Sequence, residues 1–236
     1  KTTVFIDSTG VKIDENPDKK HINYNIKAEI TKDKNKLTVQ TKDDNKVYIE
    51  NKEKAVIDNT KILVNKSAIN LNGTADNKSN FDVELSAKAF SIPAVLELLD
   101  SQIIENNITE QLVFFKDING NFDFDIKATN KTMSGDVNLN KLTFKLIPFA
   151  DLPVLLNHGK ISFDESKIFL KEFKGYYNNK PTNTMDFEGT VDDYLKSVDT
   201  DLEGNAIVTN DLAKNYLSKM ANYPIGIEGR ADTKVK

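Results

Sequence analysis

Apolar and polar residues alternate with a period of two through most of this chain, and that spacing belongs to a β-strand and not to a helix. Ile22, Tyr24, Ile26, Ala28 and Ile30 alternate with Asn23, Asn25, Lys27 and Glu29. Phe122, Phe124, Ile126 and Ala128 alternate with Asp123, Asp125 and Lys127, and Leu142, Phe144 and Leu146 with Thr143 and Lys145. Successive side chains of a strand point to opposite faces, so each segment has one apolar and one polar face. Strands covered on both faces would read as unbroken apolar runs, so these are expected to be antiparallel and covered on one side.

Polar turn clusters divide the strands at short spacing: Asp33-Lys34-Asn35-Lys36, Lys42-Asp43-Asp44-Asn45, Asp76-Asn77-Lys78-Ser79-Asn80 and Asn178-Asn179-Lys180-Pro181. Neighbouring strands are therefore expected to pair as hairpins, and about fifteen strand candidates point to a sandwich, a barrel or an extended meander. Helical signals are few. Ile92 to Ile104 follows a cap candidate at Ser91 and carries Pro93 in its first turn; Asp211 to Met220 follows a cap candidate at Asn210. A third short helix is expected over Phe149 to Asn157.

Two stretches resemble each other in order. Ile57-Asp58-Asn59-Thr60-Lys61-Ile62-Leu63-Val64 lines up with Phe163-Asp164-Glu165-Ser166-Lys167-Ile168-Phe169-Leu170. Ile69 to Thr74 then parallels Met185 to Thr190, and Phe81 to Leu85 parallels Val198 to Leu202, each copy ending in a short helix. The offset grows as the second copy takes an insertion around Phe173 to Thr184. Repeats of one supersecondary unit extend each other's surface, so the expected organisation is residues 1–54 as N-terminal strands, 55–117 as a first repeat and 118–236 as a second repeat running into the next.

Composition removes several functions. With 32 Lys and Arg against 36 Asp and Glu, the net charge of -4 offers no basic excess for a phosphate backbone, so nucleic acid is not an expected partner. Cysteine is absent, which excludes disulfides, thiolate metal sites and a cysteine nucleophile. No apolar run approaches the roughly 20 residues that cross a bilayer as a helix. The opening Lys1-Thr2-Thr3-Val4-Phe5-Ile6-Asp7 already reads as a strand, so the chain is expected to be a piece of a longer protein.

Catalytic signals are equally sparse. His21 and His158 have no partner at a metal-ligand spacing, and both are expected at the surface without a metal. The acidic residues fall on polar strand faces or in turns, the glycines are scattered, and no phosphate-binding loop or nucleophile elbow is visible. The expectation is a non-enzyme without a cofactor. What the chain does own is apolar strand surface, with 13 Phe and no Trp. Ile26, Val39, Ile49, Leu71, Val83, Phe122, Phe124, Ile126, Val137, Leu142, Phe144, Leu146, Phe163, Phe187 and Leu202 are expected to point to one continuous surface. Periodicity alone does not separate two sheets packed face to face from an open apolar trough.

The stretch from Gly159-Lys160-Ile161-Ser162-Phe163 to Lys174-Gly175, followed by Met185-Asp186-Phe187-Glu188-Gly189-Thr190-Val191 and Leu202-Glu203-Gly204-Asn205-Ala206, resembles the recurring unit of the AsmA-like superfamily of Gram-negative bacteria, which includes TamB- and YhdP-type proteins. The YhdP-type members are the nearest in pattern, through the helix at Asp211 to Met220, Tyr223-Pro224-Ile225 and the new strand at Gly226-Ile227-Glu228-Gly229. The resemblance covers residues 55–236, most clearly 118–220. It implies an extended, curled antiparallel sheet open along one side, in the periplasm, as part of an inner-membrane-anchored protein. Its apolar face, lined by the fifteen residues above, would shield phospholipid acyl chains passing between inner and outer membranes, and no catalytic residue is carried over. On this view a charge at Phe144 or Phe124 is expected to interrupt the lipid path without unfolding the chain. The alternative is a ligand-free adhesion or structural repeat with a closed sandwich core.

Overall fold

A computed structural model describes residues 2–16, 19–32, 35–41, 45–50, 53–64, 66–100, 112–194, 199–226 and 229–235. The chain is all-β with a few short helices, and its strands form one antiparallel sheet that does not close. Strands β1 (Thr2–Asn16), β2 (Lys19–Lys32), β3 (Asn35–Thr41), β4 (Lys46–Glu50), β5 (Lys54–Val64), β6 (Ser67–Asp76) and β7 (Phe81–Ser91) lead into helix α1 (Ile92–Asp100). Then come β8 (Phe115–Thr129), β9 (Met133–Leu146), β10 (Leu152–Phe163), β11 (Lys167–Tyr177), β12 (Thr184–Asp192) and β13 (Asp199–Val208). A helical run over 210–221, here α2, precedes β14 (Gly229–Val235). Sheet order follows chain order, except that β3 and β4 both lie between β2 and β5.

Two compact units emerge: Lys1–Asn106 with Asp123–Gly135, and Asn107–Phe122 with Asp136–Lys236. Strand β8 contributes to both.

Residues directly opposite in an antiparallel pair share a face, so the register shows where the apolar positions go. In the first unit Ala28 opposes Val39, Val39 opposes Val64, Val47 opposes Ile57 and Ile49 opposes Ala55. Leu71 faces Thr60 on one side and Leu85 on the other, while Gly73 stands between Ile57 and Val83. In the second unit Leu156 opposes Gly175, Phe163 opposes Ile168, Phe173 opposes Phe187 and Leu170 opposes Gly189. Gly189 and Phe187 then oppose Leu202 and Gly204.

Parity survives along each strand because of bulges that simple alternation does not foresee. Between Ile57 and Thr60 on β5, and between Leu170 and Phe173 on β11, one extra residue enters the strand. Asn59 at φ 47° and Glu172 at φ 56° take the left-handed conformation there. Lys141 at φ 54° sits between Leu139 and Leu142, and Ala89 at φ 49° between Ala87 and Phe90. An inserted residue shifts the apolar set by one position, so odd-numbered apolar residues before it and even-numbered ones after it, or the reverse, line the same face.

Backbones approach closely on that face at Gly175. An ideal Cβ on Gly175 would lie 2.0 Å from the Leu155 carbonyl oxygen and 2.8 Å from Leu156 Cα. Only a residue without a side chain permits such an approach. Gly175→Ala is expected to destabilise the chain by about 1–3 kcal/mol through backbone displacement. Gly226→Ala, whose new Cβ would meet only Asn210 Oδ1 at 3.8 Å, should stay within about 0.5 kcal/mol. Urea unfolding of the two variants compares them.

Two expectations on local structure need correction, and parts of others lie outside the described residues. No helix forms over Phe149 to Asn157: a single 3-10 turn, Ile147–Phe149, ends in the left-handed residues Ala150 and Asp151, and β10 follows. Leu152, Val154 and Leu156 are buried at period two, and this one-sided burial wins over the turn signal of Pro148. The cap of α2 is Thr209, whose hydroxyl accepts from Leu212 N at 3.3 Å, and not Asn210, which is already helical. α1 is described as far as Asp100; residues 101–104 of the expected helix lie outside the described residues, as do Asp33, Lys34 and Lys42 to Asp44 of the expected turns. The Asp76 and Asn178 turns form as expected.

The two paired stretches also behave differently. Asp58-Asn59 occupies the β5 bulge, whereas Asp164-Glu165-Ser166 is the hairpin turn between β10 and β11, closed by Ser166 N and Lys167 N donating to Asp164 Oδ1 at 3.0 and 2.9 Å. The bulge equivalent to that of β5 is on β11: each faces a strand bearing a Gly-Thr pair, Gly73-Thr74 or Gly189-Thr190. Ile69 to Thr74 and Met185 to Thr190 thus hold the same place. Val83 matches Leu202 across Gly73 and Gly189, a shift of two residues from the sequence alignment.

Candidate functional site: an apolar sheet face capped by a helix

In each unit the apolar face is the one extensive feature that polar packing does not explain. Of the fifteen residues expected on it, Ile26, Val39, Ile49, Leu71 and Val83 share a face in the first unit, and Phe124 joins them through an edge-to-face contact with Phe90 at 5.7 Å. Ile126 follows at the same parity on β8. Phe122, also at that parity, belongs to the second unit. Leu142, Phe144 and Leu146, with Val137 two residues before Leu139, share the second unit's face with Phe163, Phe187 and Leu202. Among the described residues that register places on the second unit's face none is charged, whereas in the first unit Lys20 stands opposite Ile49.

The polar faces carry the ions. Lys127 pairs with Glu84 at 2.9 Å, Lys167 with Asp192 at 2.8 Å, and Lys160 with Asp136 at 3.2 Å, the last carboxylate also accepting from Ser162 Oγ at 2.6 Å. Asp123 goes beyond the solvated role expected of it: its Oδ1 accepts from Ala89 N at 2.8 Å and so satisfies the β7 bulge. His158 is exposed on β10, and the side chain of His21 lies outside the described residues.

Burial is unequal along the face. In the second unit Leu152, Val154, Leu156, Phe173 and Tyr177 are buried with Leu212 of α2. Phe173 stacks on Phe187 with ring centroids 4.5 Å apart, and Gly159 lies beneath the Phe173 ring, where a Cβ would come within 2.7 Å. Tyr216 and Leu217 also pack onto this cluster. Such neighbours both reach it because α2 contains a π turn over Ala213–Leu217, a wider turn than the α-helix. α2 is tied down by the Lys180–Asp211 pair and by Tyr216 OH to Asn178 Oδ1 at 3.1 Å, while the Tyr177 hydroxyl donates to the carbonyl of Ile207 on β13, the strand that leads into it. Farther along the same strands Phe163, Ile168, Val191 and Leu202 are only half-buried.

The first unit repeats this division. Val64, Ala87, Phe90 and Ala94 of α1 are buried at one end, and α1 lies against β3 and β7. Ala55, Ile57 and Val83 are half-buried toward the other end, and Phe81 is 40% exposed. A polar cluster interrupts the face between them, where β3 gives way to β4: Tyr24 OH bonds Thr60 Oγ1 at 2.8 Å, and Asn45 Oδ1 accepts from Lys61 N at 3.0 Å. Sequence reasoning missed these residues and both bulges. The signal was there as two successive polar residues between apolar runs of opposite parity.

Carboxylates that accept hydrogen bonds set the acid limit of the fold. Asp136 is held below its ordinary pKa chiefly by Ser162, Asp164 by the Ser166 and Lys167 amides, Asp211 by Lys180, and Asp76 by Asn80. A depressed carboxylate pKa stabilises the folded chain above the unfolded value of about 4 and ceases to do so as pH falls through the lower folded value. The melting temperature should therefore hold steady from about pH 8 to 5 and fall below about pH 4. Thermal melts across that range read it directly.

Among the described residues no group of three or more His, Asp or Glu could hold a metal ion, and no helix is long and apolar enough to cross a membrane. Comparison with known proteins adds no identification: no family model, no curated protein and no solved structure matches the chain.

Proposed function

We propose that this chain is a lipid-conducting segment of an AsmA-like envelope protein, in which the apolar sheet face shields phospholipid acyl chains while headgroups stay in water. One observation carries the reading: among the described residues, the apolar sheet face of each unit is buried at its helix end and only half-buried beyond it. A soluble chain rarely leaves so much contiguous apolar surface open unless something lies on it. Placement in the periplasm, anchorage through the parent protein to the inner membrane, and delivery between the inner and outer membranes follow from the AsmA-like resemblance. No catalytic or cofactor chemistry is assigned.

The test is phospholipid extraction. The purified chain is mixed with vesicles of phosphatidylethanolamine and phosphatidylglycerol containing a trace of acyl-labelled lipid, the vesicles are floated away, and label left with the protein is counted. Label retained in proportion to protein supports the proposal. Retention no greater than that of a globular control protein contradicts it.

A further inference from the structure

Resting on the lipid reading above, we infer that each unit holds acyl chains only at the helix-free end of its apolar face, the helix-covered end being a permanently filled core. In the second unit the binding part is formed by Phe163, Ile168, Val191 and Leu202, which register places side by side: Phe163 opposite Ile168, Ile168 opposite Val191, and Leu202 opposite Gly189 next along the face.

The division rests on burial and on tethering. Phe173, Val154 and Leu156 are 5%, 3% and 3% exposed beneath α2, so no space for a chain remains there. α2 is fastened by two polar links, Lys180 to Asp211 and Tyr216 to Asn178. At the other end nothing described covers the four residues. Several of the described polar groups around that end pair with one another. Asp164 closes its own turn, the Tyr194 hydroxyl donates to the Asp164 carbonyl at 2.7 Å, and Lys167 is paired with Asp192.

These facts select the occupant. A docked helix needs polar anchors of the kind that hold α2, and an extended peptide brings backbone donors and acceptors that this wall of hydrocarbon cannot satisfy. A saturated or unsaturated acyl chain asks for neither. The first unit shows the same division independently, with Val64, Ala87 and Phe90 buried beside α1 and Ala55, Ile57 and Val83 left half-buried.

The chain has no cysteine, so single thiols report one position each. Val191→Cys and Val83→Cys mark the helix-free ends, Val208→Cys and Met185→Cys the region packed on the second unit's core. Each variant of the 236-residue chain is labelled with a small fluorophore and mixed with phosphatidylethanolamine–phosphatidylglycerol vesicles carrying a mid-chain nitroxide phospholipid. Quenching several-fold stronger at Val191 and Val83 than at Val208 and Met185 is the expected result. Equal quenching at all four, or stronger quenching at Val208 and Met185, overturns the inference while leaving lipid binding intact. Quenching at none overturns the lipid reading itself and the inference with it. A concentration-dependent change at Val191 without lipid identifies a second copy of the chain as the occupant, and also overturns it. Circular dichroism of each labelled variant shows that it is folded before it is counted.

Discussion

Val191→Asp should abolish phospholipid retention, by at least tenfold, while leaving the chain folded. Val191 lies on the apolar face between Ile168 and Thr200, half-buried and outside the helix-covered cluster. In the empty protein the new carboxylate reaches water, so its cost is that of a strand substitution, about 1 kcal/mol. Against an acyl chain the same carboxylate must either lose its water or keep the lipid away, and an unpaired charge in hydrocarbon costs several kcal/mol. A tenfold loss corresponds to about 1.4 kcal/mol, well within that penalty. Label retention and a thermal melt on the same preparation check both halves. The structure argues against Phe144 and Phe124 as the place for this substitution: Phe144 packs on the buried cluster and meets Phe115 edge-to-face at 5.4 Å, and Phe124 meets the buried Phe90. Aspartate there is expected to unfold its surroundings and so to confuse loss of fold with loss of lipid.

Phe173→Ala carries the largest expected stability effect. The ring is 5% exposed, stacked on Phe187 and seated over Gly159, so its removal opens a cavity that no neighbour can close without moving backbone. Truncating a buried Phe costs about 3–5 kcal/mol, a large share of the roughly 5–15 kcal/mol that holds a domain together. Phe169→Ala, four residues away, is the contrast. Phe169 points to the polar face, with Lys167 and Lys171 ammonium groups 5.7 and 5.6 Å from its ring centre. Its loss should cost about 1 kcal/mol or less. Guanidinium unfolding followed by circular dichroism distinguishes the two.

Much of this architecture was legible from residue order, for a simple reason. Alternation of Phe122, Phe124 and Ile126 with charged residues has one structural solution, and the strands form where it predicts. Turns with their own side-chain hydrogen bonds were legible too: Asp76 accepts from Lys78 and Asn80 amides at 2.8 and 2.9 Å, a contact that needs no distant residue. Long-range packing was not. The Leu152-Pro153-Val154-Leu155-Leu156 run is apolar on both parities, and only its place beneath α2 decides that it is a strand. Bulges escaped because each breaks the pattern for one residue, and Asp58-Asn59 looks like Asp164-Glu165 until pairing partners are known. Register puts the apolar members of the strands on a common face within each unit, but the division of that face into covered and open ends depends on where α1 and α2 lie. Sequence spacing holds no record of that.

The most direct measurement of the central claim, that this face is built to hold acyl chains, is native mass spectrometry of the 236-residue chain after gentle removal of detergent. The expected result is protein ions carrying additional mass that resolves, on collisional release, into intact phospholipids, and the loss of those ions in Val191→Asp. Bare protein ions alone, from material that is folded by circular dichroism and was never exposed to denaturant, would contradict it.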